Sequence, residues 1–365
     1  MGAVAGLAAT ASLLMGATSA DASNSWWIQA PALGRPISQI ASNSGFKTLA
    51  ISSGTAGWLD ASRGLFRPLA SQGVAAYVAA HGSSGLVLGS DGQLSETRDG
   101  GATYRLQQLS GSPRGLAIGY GKNPMVVAVT LSKLYLGHFG SRLSARGPIF
   151  RRFGPLALAA PVSAGEPFVV AVGDGMFFIS PSGKVTFSNK APHLGTHASV
   201  AELGDGVVLA GDRRGLVWSR YQGAWSATFQ ILPYGGLGGV PNLTSITADG
   251  ASAAYLGTTG FGTLLTPDGG YSWYTAPLPG NAQNVMAMAT LGPVFSAKAT
   301  GLVVAATPAG LMLHHLQPLP APPAYTGKHG SLEILATALV TAGSALLVLV
   351  LMWLPARRRR RRLFV

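Results

Sequence analysis

Side chains able to do acid–base or metal chemistry are few in this chain, and they are scattered. Glu96, Glu166, Glu202 and Glu333 are the only glutamates among 13 acidic residues in 365. Glu333 borders a long uncharged stretch and Glu96 stands beside a glycine-rich turn, which leaves Glu166 and Glu202 as the pair a hydrolase would use. Such a pair works only if the fold brings the two carboxyls within about 5–10 Å of each other. The histidines pair as His193-Leu194-Gly195-Thr196-His197 and as His314-His315. Ligands at 193 and 197 would share a face only on a helix, and Pro192 and Gly195 oppose one there. No acidic residue stands near them and the chain has no cysteine, so no metal, cofactor or disulfide is expected. His314 and His315 should alternate on a strand, one inward and one outward.

Asp99 and Asp268 are the carboxylates that recur in a pattern. Thr97-Arg98-Asp99-Gly100-Gly101-Ala102-Thr103-Tyr104 and Thr266-Pro267-Asp268-Gly269-Gly270-Tyr271-Ser272-Trp273 share the form (Ser/Thr)-x-Asp-x-Gly-x-(Ser/Thr)-aromatic. Each follows an apolar run, a glycine turn and a second short run, so each joins two strands. An aspartate here can bind backbone amides about two residues on, while glycine accepts the positive φ of a tight turn. Tyr104 or Trp273 then drops into the apolar layer below. These roles are structural, so Asp99 and Asp268 are read as turn-forming and not as catalytic carboxylates.

On those residues the chain resembles the Asp-box repeat of sialidase-type β-propellers. In the propeller that the pattern resembles, such turns imply positions for Asp99 and Asp268 at a blade rim, away from the central funnel. The glycine- and threonine-rich lead-in at 257–264 is closer in style to non-enzymatic propellers related to photosystem II assembly and stability factors. The resemblance covers roughly 45–316 and is specific at 85–104 and 253–273. Sialidases use an arginine triad, a Tyr–Glu nucleophile pair and an Asp acid/base, with an Arg-Ile-Pro signature near the N-terminus. That signature is absent: Arg35-Pro36-Ile37 has its letters in another order. The resemblance therefore implies a monomeric, non-catalytic scaffold that captures a protein partner, with a glycosidase or a mainly structural surface protein as alternatives.

The elements that must carry these turns repeat. Apolar strand cores begin near Leu49, Leu86, Val126, Val169, Val207, Ala253 and Leu302, a period of roughly 40–50 residues that predicts four short strands per unit. The fold expected is all-β: a single β-propeller of about seven four-stranded blades spanning 23–316, plus one C-terminal transmembrane helix. Some units are degenerate; Ser219-Arg220-Tyr221-Gln222-Gly223-Ala224-Trp225 keeps the glycine and aromatic but has lost the aspartate. The Trp26-Trp27-Ile28 segment is expected to add an outer strand to the last blade and close the ring, removing the open sheet edges.

Both ends differ from the repeats. Residues 1–22 are small and apolar, with Ala17-Thr18-Ser19-Ala20 or Ala20-Asp21-Ala22 as a cleavage site, and read as an export signal that lacks the usual preceding Lys or Arg. Residues 317–330 form a Pro-rich linker that, if extended, reaches about 40 Å. Within 331–354, Ile334 to Leu354 is uncharged and long enough to cross a bilayer. Arg357, Arg358, Arg359, Arg360, Arg361 and Arg362 follow in a 355–365 tail, which should stay cytoplasmic with the propeller outside. These six account for six of the net +13 charges, leaving +7 elsewhere with no basic run interleaved with aromatics. That distribution argues against a nucleic-acid partner. Leu319-Pro320-Ala321-Pro322 starts like a sortase signal but lacks its Thr and Gly, so a permanent single-span anchor is the plainer expectation.

Overall fold

Strands such as Met125–Thr130 and Leu302–Thr307 are buried at every position, which a sheet achieves only when both faces are covered. In the computed structural model each blade is covered by its two neighbours in a ring. The structure describes residues 27–316 except 31–32, 34, 71–72, 147–149, 151–153, 195–197, 213–214, 231–241, 250–251, 280–281 and 293–300. All belong to the first of two units of the chain, 1–318 and 319–365. Trp26, the export signal, the linker, the apolar stretch, Glu333 and Arg357–Arg362 lie outside the described residues.

Strand β1 (Ile28–Gln29) precedes seven four-stranded antiparallel sheets. Blade 1 is β2 (Gln39–Ile40), β3 (Lys47–Ser52), β4 (Thr55–Asp60) and β5 (Leu65–Pro68). Blade 2 is β6 (Ala75–His81), β7 (Ser84–Gly89), β8 (Gln93–Thr97) and β9 (Arg105–Gln108). Blade 3 runs from β10 (Pro113–Ile118) through β11 (Met125–Thr130) and β12 (Leu134–His138) to β13 (Ser144–Ala145). Blade 4 holds β14 (Ala157–Ala159), β15 (Phe168–Val172), β16 (Gly175–Ile179) and β17 (Val185–Ser188). Blade 5 holds β18 (Ser199–Gly204), β19 (Val207–Gly211), β20 (Leu216–Tyr221) and β21 (Ala224–Gln230). Blade 6 is β22 (Leu243–Ala248), β23 (Ala254–Thr258), β24 (Thr263–Thr266) and β25 (Tyr274–Ala276). Blade 7 is β26 (Ala287–Leu291), β27 (Leu302–Thr307), β28 (Gly310–His315) and, as its outer strand, β1.

The ring is thus closed by the chain's two ends. Ile28 pairs with Leu313 and Gln29 with Met312, and the Ala30 amide donates to the Leu311 carbonyl at 2.9 Å. Trp27, 1% exposed, anchors the strand among Tyr255, Met288 and Met312, with the Tyr255 ring edge-on at 6.0 Å. Successive first strands, β2, β6, β10, β14, β18, β22 and β26, touch one another around the axis. A cluster of buried apolar side chains fills each junction between blades, as where Leu86 and Leu88 meet Leu116 and Val126. Connections between first and second strands, and between third and fourth, lie on one face, called here the lower face. The remaining connections lie on the upper face. Trp27 enters and Leu316 leaves at the lower face.

Candidate functional site

The two aspartate turns are the connections from β8 to β9 and from β24 to β25, on the lower face and in the outer half of blades 2 and 6. Their hydrogen bonds match atom for atom. Thr97 Oγ1 donates to Asp99 Oδ1 (2.8 Å) and accepts from the Gly101 amide (2.8 Å). Asp99 Oδ1 also accepts from the Thr103 amide (2.9 Å), and its Oδ2 from Thr103 Oγ1 (2.6 Å). In blade 6, Thr266 Oγ1 donates to Asp268 Oδ1 (2.9 Å) and accepts from the Gly270 amide (2.8 Å). The Ser272 amide donates to Asp268 Oδ1 (2.8 Å) and the Ser272 hydroxyl to Asp268 Oδ2. The second glycine of each turn is left-handed, Gly101 at φ 102° and Gly270 at φ 101°; a Cβ on Gly101 would collide with Leu69 and Tyr104, and one on Gly270 would crowd Leu209. The hydroxyl and amide of Thr103, with Thr97, hold the Asp99 carboxyl well below the usual range. Burial pushes Asp268 upward, but Ser272 and Thr266 outweigh it and the net shift is downward.

A further bond ties each turn to the blade before it. Trp58 Nε1 on β4 donates to the Gly100 carbonyl (2.9 Å), and Ser219 Oγ on β20 donates to the Gly269 carbonyl (2.6 Å). Trp273 caps its own turn through Nε1 to the Gly270 carbonyl (2.9 Å) and stacks on Phe229 at 5.4 Å. Tyr104 packs against the cluster between blades 1 and 2.

Nearer the axis, Glu202 and Glu166 come together. Glu202, on β18, is 1% exposed; its Oε2 accepts from the Val162 amide of blade 4 (3.0 Å) and its Oε1 from the Gly204 amide (2.7 Å). Glu166 Oε1 accepts from the Asp205 amide (3.0 Å), so the two carboxylates brace blades 4 and 5 from opposite sides. Burial pushes the Glu202 carboxyl up to about 7 against its two amide donors, and the charge and hydrogen bonding of Glu166 push the same way. Beside them a cavity of about 150 Å³ at the lower mouth of the channel is lined by Tyr120, Glu202, Thr247 and Thr290. Neither Asp99 nor Asp268 lines it. Glu96 is buried next to its turn, 3.6 Å from Arg98 Nε.

His193 Nδ1 lies 3.3 Å from the Gly173 carbonyl, and His197 is outside the described residues. His314 sits against the Trp27 and Tyr255 rings (5.5 and 5.7 Å), while His315 is exposed, the alternation expected for that strand.

A larger opening escaped the sequence reading. Between blades 1 and 2 on the lower face lies a groove of about 800 Å³, within the range of ligand-binding clefts. Phe46 and Leu65, 43% and 48% exposed, form its apolar walls together with Trp58, and Gly82, Ser83 and Gly100 close the blade 2 side. Lys47, Arg63 and Arg67 stand on its rim. Asp60, the one carboxylate there, is taken by the Ser62 hydroxyl (2.7 Å) and the Arg63 amide (3.3 Å). The only hint in the sequence was Leu65, an apolar residue on an outer strand that has no neighbouring sheet.

No family model matches the chain, and no curated protein matches it. Solved structures share its fold. A structure described as YCF48 bound to D1 peptide is 16% identical with a TM-score of 0.57, covering 80% of this chain and 94% of its own. YCF48 from Cyanidioschyzon merolae is 13% identical with a TM-score of 0.56, covering 80% and 98%. Virginiamycin B lyase from Staphylococcus aureus is 10% identical with a TM-score of 0.57, covering 80% and 98%. A protein described with a bound peptide and a lyase thus stand side by side, and the likeness establishes the propeller fold, not an activity.

Proposed function

We propose that this chain is an exported, membrane-anchored propeller that holds a segment of a protein partner and performs no catalysis. The observation that carries the reading is the groove between blades 1 and 2: concave, mainly apolar and open on the lower face. An exposed Phe and Leu at such a site lose hydration favourably only when covered. The YCF48 structure described with a bound peptide is consistent with a protein-binding role for this architecture. Export and anchoring rest on the apolar stretches at 1–22 and 331–354 and on the arginines that follow. The matching bond patterns at Asp99 and Asp268 support assigning both turns to the Asp-box type of sialidase-like propellers, as staples of the fold.

A second reading, hydrolysis at Glu166 and Glu202, draws on the raised Glu202 carboxyl. Both Glu202 oxygens are already engaged by backbone amides. Glu166 is likewise engaged, accepting from the Asp205 amide, so both carboxylates are occupied in bracing neighbouring blades.

A photo-crosslinking phenylalanine at position 65, compared with one at the exposed upper-face position 131, tests the binding reading in intact cells. A discrete protein adduct from 65 and none from 131 is expected. No adduct, or equal labelling at both, would overturn it. Turnover of fluorogenic glycosides that disappears in Glu202→Gln would establish the hydrolase instead.

A further inference from the structure

Within that binding reading, the geometry points to a ligand of defined chemistry: an extended segment in which an apolar side chain and a carboxylate stand two residues apart. The strand register of blade 1 lays the groove out in rows. Lys47, Asp60 and Leu65 are cross-strand neighbours on one face, followed by Leu49, Trp58 and Arg67. Leu65 and Arg67 therefore point the same way from β5, separated by two strand residues, or about 7 Å. An extended chain lying beside them has the same repeat, so one side chain meets Leu65 and Phe46 while the next on that face meets Arg67 beside Trp58.

Charge fixes the second position. Lys47 and Arg67 are exposed and, among the described residues, neither has an acidic partner. The Arg63 side chain is 73% exposed and reaches Asp60 only at 4.0 Å. Asp60 is largely satisfied by its own turn, so the rim presents two free cations and a weakly held third. A carboxylate on the ligand gains from each, with the apolar wall lowering the local dielectric. A cationic segment would meet like charge. A purely apolar one would leave the cations facing it without gain. The indole of Trp58 is held by its bond to the Gly100 carbonyl (2.9 Å), so the apolar anchor is preorganised and binding need not order it.

The test uses the full-length chain in detergent micelles and a phage-displayed random dodecapeptide library. The expected enrichment is for sequences with an aliphatic or aromatic residue two positions from Asp or Glu. Synthetic copies of the enriched peptides should lose at least about tenfold in affinity when their acids become Asn or Gln, or when the protein carries Lys47→Glu with Arg67→Glu. Arg114→Glu, at the upper mouth of the channel, should change nothing, and unchanged thermal melting of each variant shows that it is folded. Enrichment of cationic or proline-rich sequences, the latter pointing to the chain's own 317–330 linker as occupant, would overturn the proposal. So would binding that ignores the double charge reversal; the protein-binding reading would survive either result with a different site or ligand. No enrichment by the full-length chain would sink both.

Discussion

Asp99 and Asp268 show how little a residue's chemical capacity says about its use. Each carboxylate spends its lone pairs on two hydroxyls and an amide of its own turn, and each turn then offers its first glycine carbonyl to the blade before it. Replacing Asp268 with Ala removes these acceptors and should cost about 1–2 kcal/mol in chemical denaturation; unchanged stability would remove the staple role. Glu202 makes a prediction of opposite sign. Its carboxyl binds a proton more tightly in the folded protein, at about 7, than an ordinary glutamate does at about 4.5. The stability it contributes is therefore full below about pH 4.5 and is lost as pH rises to about 7, by up to about 3 kcal/mol. Thermal melting from pH 5 to pH 8 should show this slope in the wild type and a flatter one in Glu202→Gln; parallel curves would refute it. The sequence made the aspartate pattern readable because the whole network lies within eight consecutive residues. It could name Glu166 and Glu202 only as candidates, since their meeting depends on the neighbouring blade.

At the scale of the element, β1 is the smallest strand with the largest task. Its two residues pair with β28, and Trp27 adds to the hold by filling the junction of blades 6 and 7. Trp27→Ala should destabilise the protein by about 3–5 kcal/mol in equilibrium unfolding; a loss below about 1 kcal/mol would mean the closure is ornamental. The apolar period and the aromatic first segment made this closure legible. The degenerate unit of blade 5 has a physical explanation too. Between β20 and β21 the chain turns on Gln222 (φ 48°) and Gly223 (φ 83°) alone, a hairpin too short to need an aspartate to organise it. The groove was not legible, because Phe46, Trp58 and Leu65 meet Gly82 and Gly100 only after two blades pack face to face.

For the whole molecule, the described residues form one closed ring, and the proposed anchor at 331–354 with its arginines makes predictions about topology. Truncation after Gly330 should yield a protein that stays soluble without detergent, whereas the full chain should need it. Protease added to intact cells or spheroplasts should digest 23–316 and leave the Arg357–Arg362 tail intact; the reverse pattern would invert the orientation. Shared closure also gives the ring a mechanical character. Tension arriving along the chain from residue 317 enters at Leu316 and falls on β28, which is gripped by β27 on one side and β1 on the other. A strand held along both edges resists being drawn out, because both sets of bonds must slide together. The N-terminal segment thus works as a latch on the strand that bears the load. Until β28 has been made, β1 has nothing to grip, so the ring locks only when the last blade has left the ribosome.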